Sequence, residues 1–264
     1  MYGAKERQLS LHQLRMDYIT FGKGPKTLVM IPGLNTRGVK GSSSMLSFMY
    51  RIFAKDYTVY VFDHPSPLPT DYTVSAAAKW LAHAMDALQL KNADVFGVSQ
   101  GGMVAQYLTL HRPDLVHKLV LAVTLSRNND AVKNAVETWL HLLESGTPRE
   151  FVEDMAQRMY SESYVRRYKP FFPLLALLQK PKDPQRFEAL AKACLTCSTY
   201  DDLDKIKCPV LVLGGRKDKI VGETACEEIA QKLGCECHIY EDLGHAAYEE
   251  ASDFNKRVYD FLRG

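Results

Sequence analysis

The chain has 264 residues, 46% hydrophobic and 24% charged, a balance that supports a sizeable globular core. With 33 basic against 31 acidic residues and a net charge of +2, it lacks the excess expected of a nucleic-acid or acidic-membrane surface, and no run of five basic residues occurs. Small-molecule partners are expected.

The first eight residues carry no apolar stretch of the signal-peptide kind, and the longest strongly apolar run, 171–178, is short and interrupted by Pro173. A cytoplasmic location is the resulting expectation, with no membrane span. Residues 8–21 read as two short strands, followed by the turn Gly22-Lys23-Gly24-Pro25. An alternation then begins. Strand 27–31 leads through Pro32-Gly33-Leu34-Asn35 to a helix near 43–55, strand 58–62 through a Pro-rich loop to a helix near 74–90, and strand 94–98 directly into a helix. Short apolar strands alternating with helices imply a mostly parallel sheet covered on both faces.

Strand 118–124 ends the alternation. From 127 to about 200 only helical spacing is found: Val132, Val136, Trp139 and Leu143 form one stripe, Phe151, Met155 and Met159 another. Thr147 and Glu150 form a capping box with Pro148 at the first helical position. This is an all-helical insertion. Residues 210–213 then resume the sheet, a helix follows near 223–233, and strand 236–240 precedes a last helix near 252–262. The organisation is a core of 1–126 and 201–264 split by a helical cap of 127–200.

All six cysteines lie between Cys194 and Cys237. A chain with its own core and no export signal keeps such thiols reduced, and Cys194-Leu195-Thr196-Cys197 has no second pair to complete a four-ligand zinc site. Cys235 and Cys237 are read as core-packing residues on a strand.

Gly97-Val98-Ser99-Gln100-Gly101 joins an apolar strand to an apolar helix. A serine hydroxyl needs a base to take its proton and donors to hold the charge that develops, so it must stand clear of its own backbone on a tight turn. The flanking glycines permit that turn, where a side chain would crowd neighbouring strands and the helix start. By composition alone the pentapeptide would occur in about one such chain in twenty, so its partners decide the matter. Asp218 follows the strand at 210–213 and His245 the strand at 236–240. Loops at the carboxyl ends of strands converge on one sheet edge, where Ser99, His245 as general base and Asp218 as its orienting acid can meet. Other readings attach to the same residues. Ser99 could cap a helix, Asp130 is read with Asn128 or Asn129 as capping the next helix, and Asp63 as a loop-structuring carboxylate.

These motifs, in this order and with the insertion where it stands, resemble the α/β-hydrolase superfamily, specifically its capped serine hydrolases and esterases. The resemblance covers nearly the whole chain and implies an α/β-hydrolase fold with an eight-stranded, mostly parallel sheet. It implies oxyanion donors at the backbone N–H groups of Gln100 and Leu34, and requires no metal or cofactor. Two departures stand out: Pro32-Gly33 where the family often has His-Gly, and Asp63-His64-Pro65-Ser66-Pro67 where a Gly-rich loop is common.

The expected activity is hydrolysis of a small or medium, apolar carboxylic ester through an acyl-enzyme. A thioesterase, lactonase or carbon–carbon bond hydrolase would use the same triad. A lyase with Ser99 as an orienting hydroxyl, or a receptor that keeps the triad and holds a ligand, are alternatives from other classes. Trp139, Phe171, Phe172 and Leu175 are the pocket candidates, weighed against packing on the core. A homodimer is left open.

Overall fold

The computed structural model describes residues 2–179 and 181–264. Strands β1 (Lys5–Leu11) and β2 (Leu14–Phe21) form the expected hairpin, in register from Lys5 opposite Thr20 to Leu11 opposite Leu14. There follow β3 (Lys26–Ile31), α1 (Ser43–Met49), β4 (Tyr57–Ser66), α2 (Val74–Ala87), β5 (Ala93–Val98), α3 (Gln100–His111) and β6 (Val116–Ala122). Five helices then run without a strand between them: α4 (Asp130–Ser145), α5 (Pro148–Met159), α6 (Glu162–Tyr168), α7 (Phe172–Gln179) and α8 (Pro184–Cys194). The chain closes with β7 (Val210–Gly215), α9 (Ala225–Leu233), β8 (Glu236–Tyr240), α10 (Ala247–Glu250) and α11 (Phe254–Arg263).

The eight strands make one sheet in the order β1-β2-β4-β3-β5-β6-β7-β8, antiparallel where β2 meets β1 and β4 and parallel from β4 to β8. Period-two alternation divides its side chains between two helical layers. Val29 and Ile31 of β3 join a cluster with Leu81 of α2, Leu108 of α3 and Ile229 of α9. Leu28 and Met30 face the other way, toward Tyr50 and Phe53 after α1 and Phe254 and Val258 of α11. Every residue of β5 and β7 is buried, as on strands covered on both faces, and β5 carries Asp94 among its apolar residues.

Two expectations needed revision. The segment at 63–66, read as a Pro-rich loop, continues β4 because Met16 and Arg15 of β2 pair with Pro65 and Ser66. Pro65 is tolerated because β3 pairs with β4 only as far as Val61, so the strand is an edge on that side. Cys237 is exposed and so is not a core residue, whereas Cys235 is half-buried against the core, and all six cysteines are free. The last helix stands where it was expected, as α11, with the short α10 before it. Among the described residues no helix is long and apolar enough to cross a membrane.

Candidate active site

Ser99 occupies a turn that its neighbours make possible. Its φ of 54° and ψ of −120° are strained for a residue with a Cβ, and its side chain makes no helix-capping hydrogen bond. The glycines explain how the turn fits. A Cβ on Gly97 would lie 2.4 Å from the Gly101 carbonyl oxygen, and one on Gly101 would lie 1.9 Å from that of Ile31. The Ser99 N–H donates to the Ala122 carbonyl at 2.8 Å, and the Thr124 hydroxyl donates to the Ser99 carbonyl at 2.8 Å. Val123, a buried β-branched residue at φ 43°, turns the chain so that Thr124 reaches it.

The loops after β7 and β8 bring the other two groups. His245 Nε2 stands 2.9 Å from Ser99 Oγ, and His245 Nδ1 stands 2.8 Å from Asp218 Oδ2. With Nδ1–H donating to the carboxylate, the Nε2 lone pair faces the serine hydroxyl, an assignment made from the hydrogen-bond network. Asp218 Oδ1 accepts the N–H groups of Ile220 at 2.8 Å and Val221 at 3.0 Å, so both oxygens of this buried carboxylate are partnered. The two loops are in backbone contact: Lys217 N–H donates to the Leu243 carbonyl at 2.9 Å, and a Cβ on Gly215 would sit 2.2 Å from the Gly244 carbonyl oxygen. A buried, hydrogen-bonded imidazole aimed at a hydroxyl on a strained turn can remove its proton and return it to a leaving group.

Gly33 approaches the serine closely enough that a Cβ there would meet Ser99 Cβ at 3.0 Å. This sets the Leu34 loop beside the elbow. Gln100 is the first residue of α3, so its N–H belongs to the unpaired first turn and points out of the helix start. Leu34 and Gln100, the two residues named from the sequence, therefore both adjoin Ser99.

The insertion is tied to this edge at several points. Asn129, the N-cap of α4, accepts from Val132 N–H and donates Nδ2 to the Val221 carbonyl at 2.6 Å in the Asp218 loop. Asp130 is then the first helical residue of α4, and Asn129 alone is the cap. The carbonyl of Met159, at the end of α5, accepts the Ala246 N–H at 2.7 Å, next to His245. The Gln100 side chain is buried and donates Nε2 to the Leu190 carbonyl of α8 at 2.6 Å and to the Cys194 sulfur at 3.1 Å. Burial pushes the Cys194 thiol up to about 12, with Cys197 adding to the effect, so it stays protonated and accepts that bond as a neutral group. Asp63 accepts Val39 N–H at 3.0 Å and His64 N–H at 2.7 Å and pairs with Arg186 of α8 at 3.0 Å, an organising role.

The chamber over Ser99 encloses about 40 Å³ and is walled by Met103, Val132, Val136, Trp139, Met155, Met159, Ile220 and His245 among others. Trp139 is placed there, its indole N–H donating to Asp154 at 3.0 Å. Phe171 and Phe172 are not. Phe171 is 55% exposed, Phe172 is buried outside the chamber, and the Leu175 side chain lies outside the described residues. The physical reason is that α7 packs chiefly on α5. Met155 and Met159 of α5, read from the sequence only as part of a helical stripe, line the chamber. Sequence reasoning also missed the bonds that Thr124, the Gln100 side chain and Asn129 Nδ2 make, whose partners are backbone carbonyls far away in sequence. The His64 imidazole, 3.0 Å from the Tyr72 hydroxyl, is lowered to about 4 by lost hydration, with Arg186 adding to the effect and Asp63 opposing it. A second acid–imidazole pair, Asp94 with His117 Nδ1 at 2.8 Å, lies at the opposite end of β5 and also takes the Tyr57 hydroxyl at 2.9 Å, which is a structural network. Among the described residues no three His, Cys, Asp or Glu side chains gather as a metal site.

Comparison with known proteins agrees with this geometry at the level of family. The sequence model described as "Alpha/beta hydrolase family" matches residues 28–257. A protein named "Putative carbamate hydrolase RutD" from Caulobacter sp. (strain K31) is 26% identical over 249 residues, 90% of this chain and 91% of its own. A "3-oxoadipate enol-lactonase 2" from Acinetobacter baylyi (strain ATCC 33305 / BD413 / ADP1) is 21% identical over 226 residues, 84% of each chain. Among solved structures, MGS-M2, an alpha/beta hydrolase enzyme from a Medee basin deep-sea metagenome library, superposes with a TM-score of 0.88 at 18% identity, covering 98% of both chains. The enol-lactonase from Burkholderia xenovorans LB400 superposes with a TM-score of 0.84 at 20% identity, over 98% of this chain and 100% of its own.

Proposed function

The chain belongs to the alpha/beta hydrolase family, and from that premise we propose that it is a serine hydrolase acting on a small or medium carboxylic ester with an apolar acyl group. The observation that carries this reading is the continuous relay Ser99 Oγ to His245 Nε2 at 2.9 Å and His245 Nδ1 to Asp218 Oδ2 at 2.8 Å, on a strained elbow. His245 takes the hydroxyl proton as Ser99 Oγ attacks the ester carbonyl, and the Leu34 and Gln100 N–H groups hold the oxyanion. His245 then returns the proton to the departing alkoxide. Water, deprotonated by His245, releases the acid and restores the serine. Asp218 holds the imidazole in the productive tautomer and stabilises its cation.

Residues 127–200 act in this reading as a cap over a core of 1–126 and 201–264, excluding water from the acyl-enzyme and shaping the chamber. A second reading, in which the scissile bond belongs to a lactone or a carbamate, is favoured by the names of two relatives, a carbamate hydrolase and an enol-lactonase. The same relay serves both. The test is a panel of p-nitrophenyl esters, lactones and carbamates with Ser99→Ala as control. Turnover of the esters that vanishes in the variant is expected. Turnover confined to lactones or carbamates selects the second reading, and no Ser99-dependent turnover of any member overturns both.

A further inference from the structure

The chamber over Ser99, about 40 Å³, is the smaller of two that meet at the Leu34 loop. A larger chamber of about 180 Å³ lies on the other side of the Leu34 loop, sharing Gly33, Leu34 and Tyr248 as walls with the first. It runs between α1 and the ends of β3, β4 and β5, and its lining is mostly apolar: Leu46, Met49, Val61, Phe96 and Val98 face it. An apolar cavity of about 150 Å³ takes a benzene-sized molecule, so this chamber has room for a chain of about as many carbons. Met45, 59% exposed, stands at its outer end on α1.

We infer that this second chamber is the binding site for the apolar acyl arm of the substrate, a straight or lightly branched chain of about six carbons, threaded past Leu34 and Tyr248. The inference rests on the hydrolase reading of Ser99. One observation chooses the acyl arm over the alcohol: His245 must reach the leaving oxygen, and it lines the small chamber and not the large one. The loop whose N–H holds the acyl carbonyl oxygen in that reading walls both chambers. A carbonyl seated there directs its leaving group toward His245 and its carbon chain past Leu34. Closing apolar walls on each added methylene favours binding until the chamber is filled.

Two measurements test this. In p-nitrophenyl esters from acetyl to octanoyl, kcat/KM is expected to rise about fourfold per methylene and then level, and Leu46→Trp, which fills the chamber from α1, is expected to lower octanoyl turnover about a hundredfold while leaving acetyl turnover within about twofold. Met49→Ala should move the preference to longer chains. In acetate esters of lengthening alcohols, Leu46→Trp should change nothing; a loss in that series in place of the acyl series overturns the inference. The second measurement does not need turnover. Methionine-methyl carbon-13 spectra of Ser99→Ala titrated with octanoate should move Met30 and Met49, with acetate moving neither. Octanoate shifts confined to Met103, Met155 and Met159, or no shifts at all, overturn it. Should no ester be hydrolysed, the reading of Ser99 falls by itself and the methyl spectra still decide whether the chamber takes a fatty carboxylate.

Discussion

The edge of the sheet and the helices laid across it meet at Ser99 and are held by different means. At the edge, backbone packs on backbone: Gly101 against the Ile31 carbonyl, Gly215 against the Gly244 carbonyl, and the Ser99 N–H on Ala122. The insertion is joined to that edge by dispersed contacts, Asn129 to Val221, Met159 to Ala246, the Gln100 amide to Leu190 and Arg186 to Asp63. Close-packed backbone admits one geometry, whereas side-chain tethers can be rebuilt around a different chamber. In the proposed reading the edge carries chemistry and the overlying parts carry selectivity.

The largest effect expected at the edge is chemical. Asp218→Asn, which keeps the shape and removes the charge, should lower kcat by about 10⁴-fold with the fold intact. A loss under tenfold in ester turnover would break the assignment of Asp218 as the acid. Next is a loss of fold. Gly101→Ala sets a methyl 1.9 Å from a carbonyl oxygen and should cost about 3 kcal/mol or more, seen as a lowered denaturation midpoint; an unchanged midpoint would mean the elbow is freer than its contacts indicate.

At the boundary between the two regions stands His64. Its imidazole is lowered to about 4 in the folded chain, against about 6.5 for a free histidine, so between those values the unfolded chain binds a proton that the native one does not. Stability is then full above pH ~6.5 and falls as the pH drops toward ~4, by about 2 kcal/mol once partial hydration of the ring is allowed for. His64→Gln should flatten that limb of the denaturation profile, and a limb of unchanged depth would assign it to other groups. The smallest effect is at Thr124. Removing its hydrogen bond to the Ser99 carbonyl as Thr124→Val should cost about 1 kcal/mol and lower kcat severalfold with KM unchanged. A change in KM alone would place Thr124 in binding instead.

The same division decides what the sequence made legible. Ser99, Asp218 and His245 could be placed because each follows the carboxyl end of a strand, Ser99 at once and the other two within five residues, and strand ends share an edge. The capping box of α5 was equally readable, since Thr147 and Glu150 satisfy it locally at 3.2 and 2.7 Å. The chamber was not. The Phe-Leu-rich stretch at 171–178 and the stripe of Phe151, Met155 and Met159 have the same apolar character, and helical spacing does not say which faces solvent, core or serine; Phe171 is exposed while Met155 and Met159 line the chamber. The second chamber was hidden for another reason. Val61, Phe96 and Val98 are ordinary strand residues, and only the placement of α1 leaves a space in front of them.

The most direct measurement is the intact mass of the protein after treatment with a fluorophosphonate, followed by peptide mapping. The account predicts one adduct, on Ser99, formed at a rate that falls sharply in His245→Gln and not formed in Ser99→Ala. An unmodified native protein, or an adduct on another residue at an undiminished rate in His245→Gln, would contradict it.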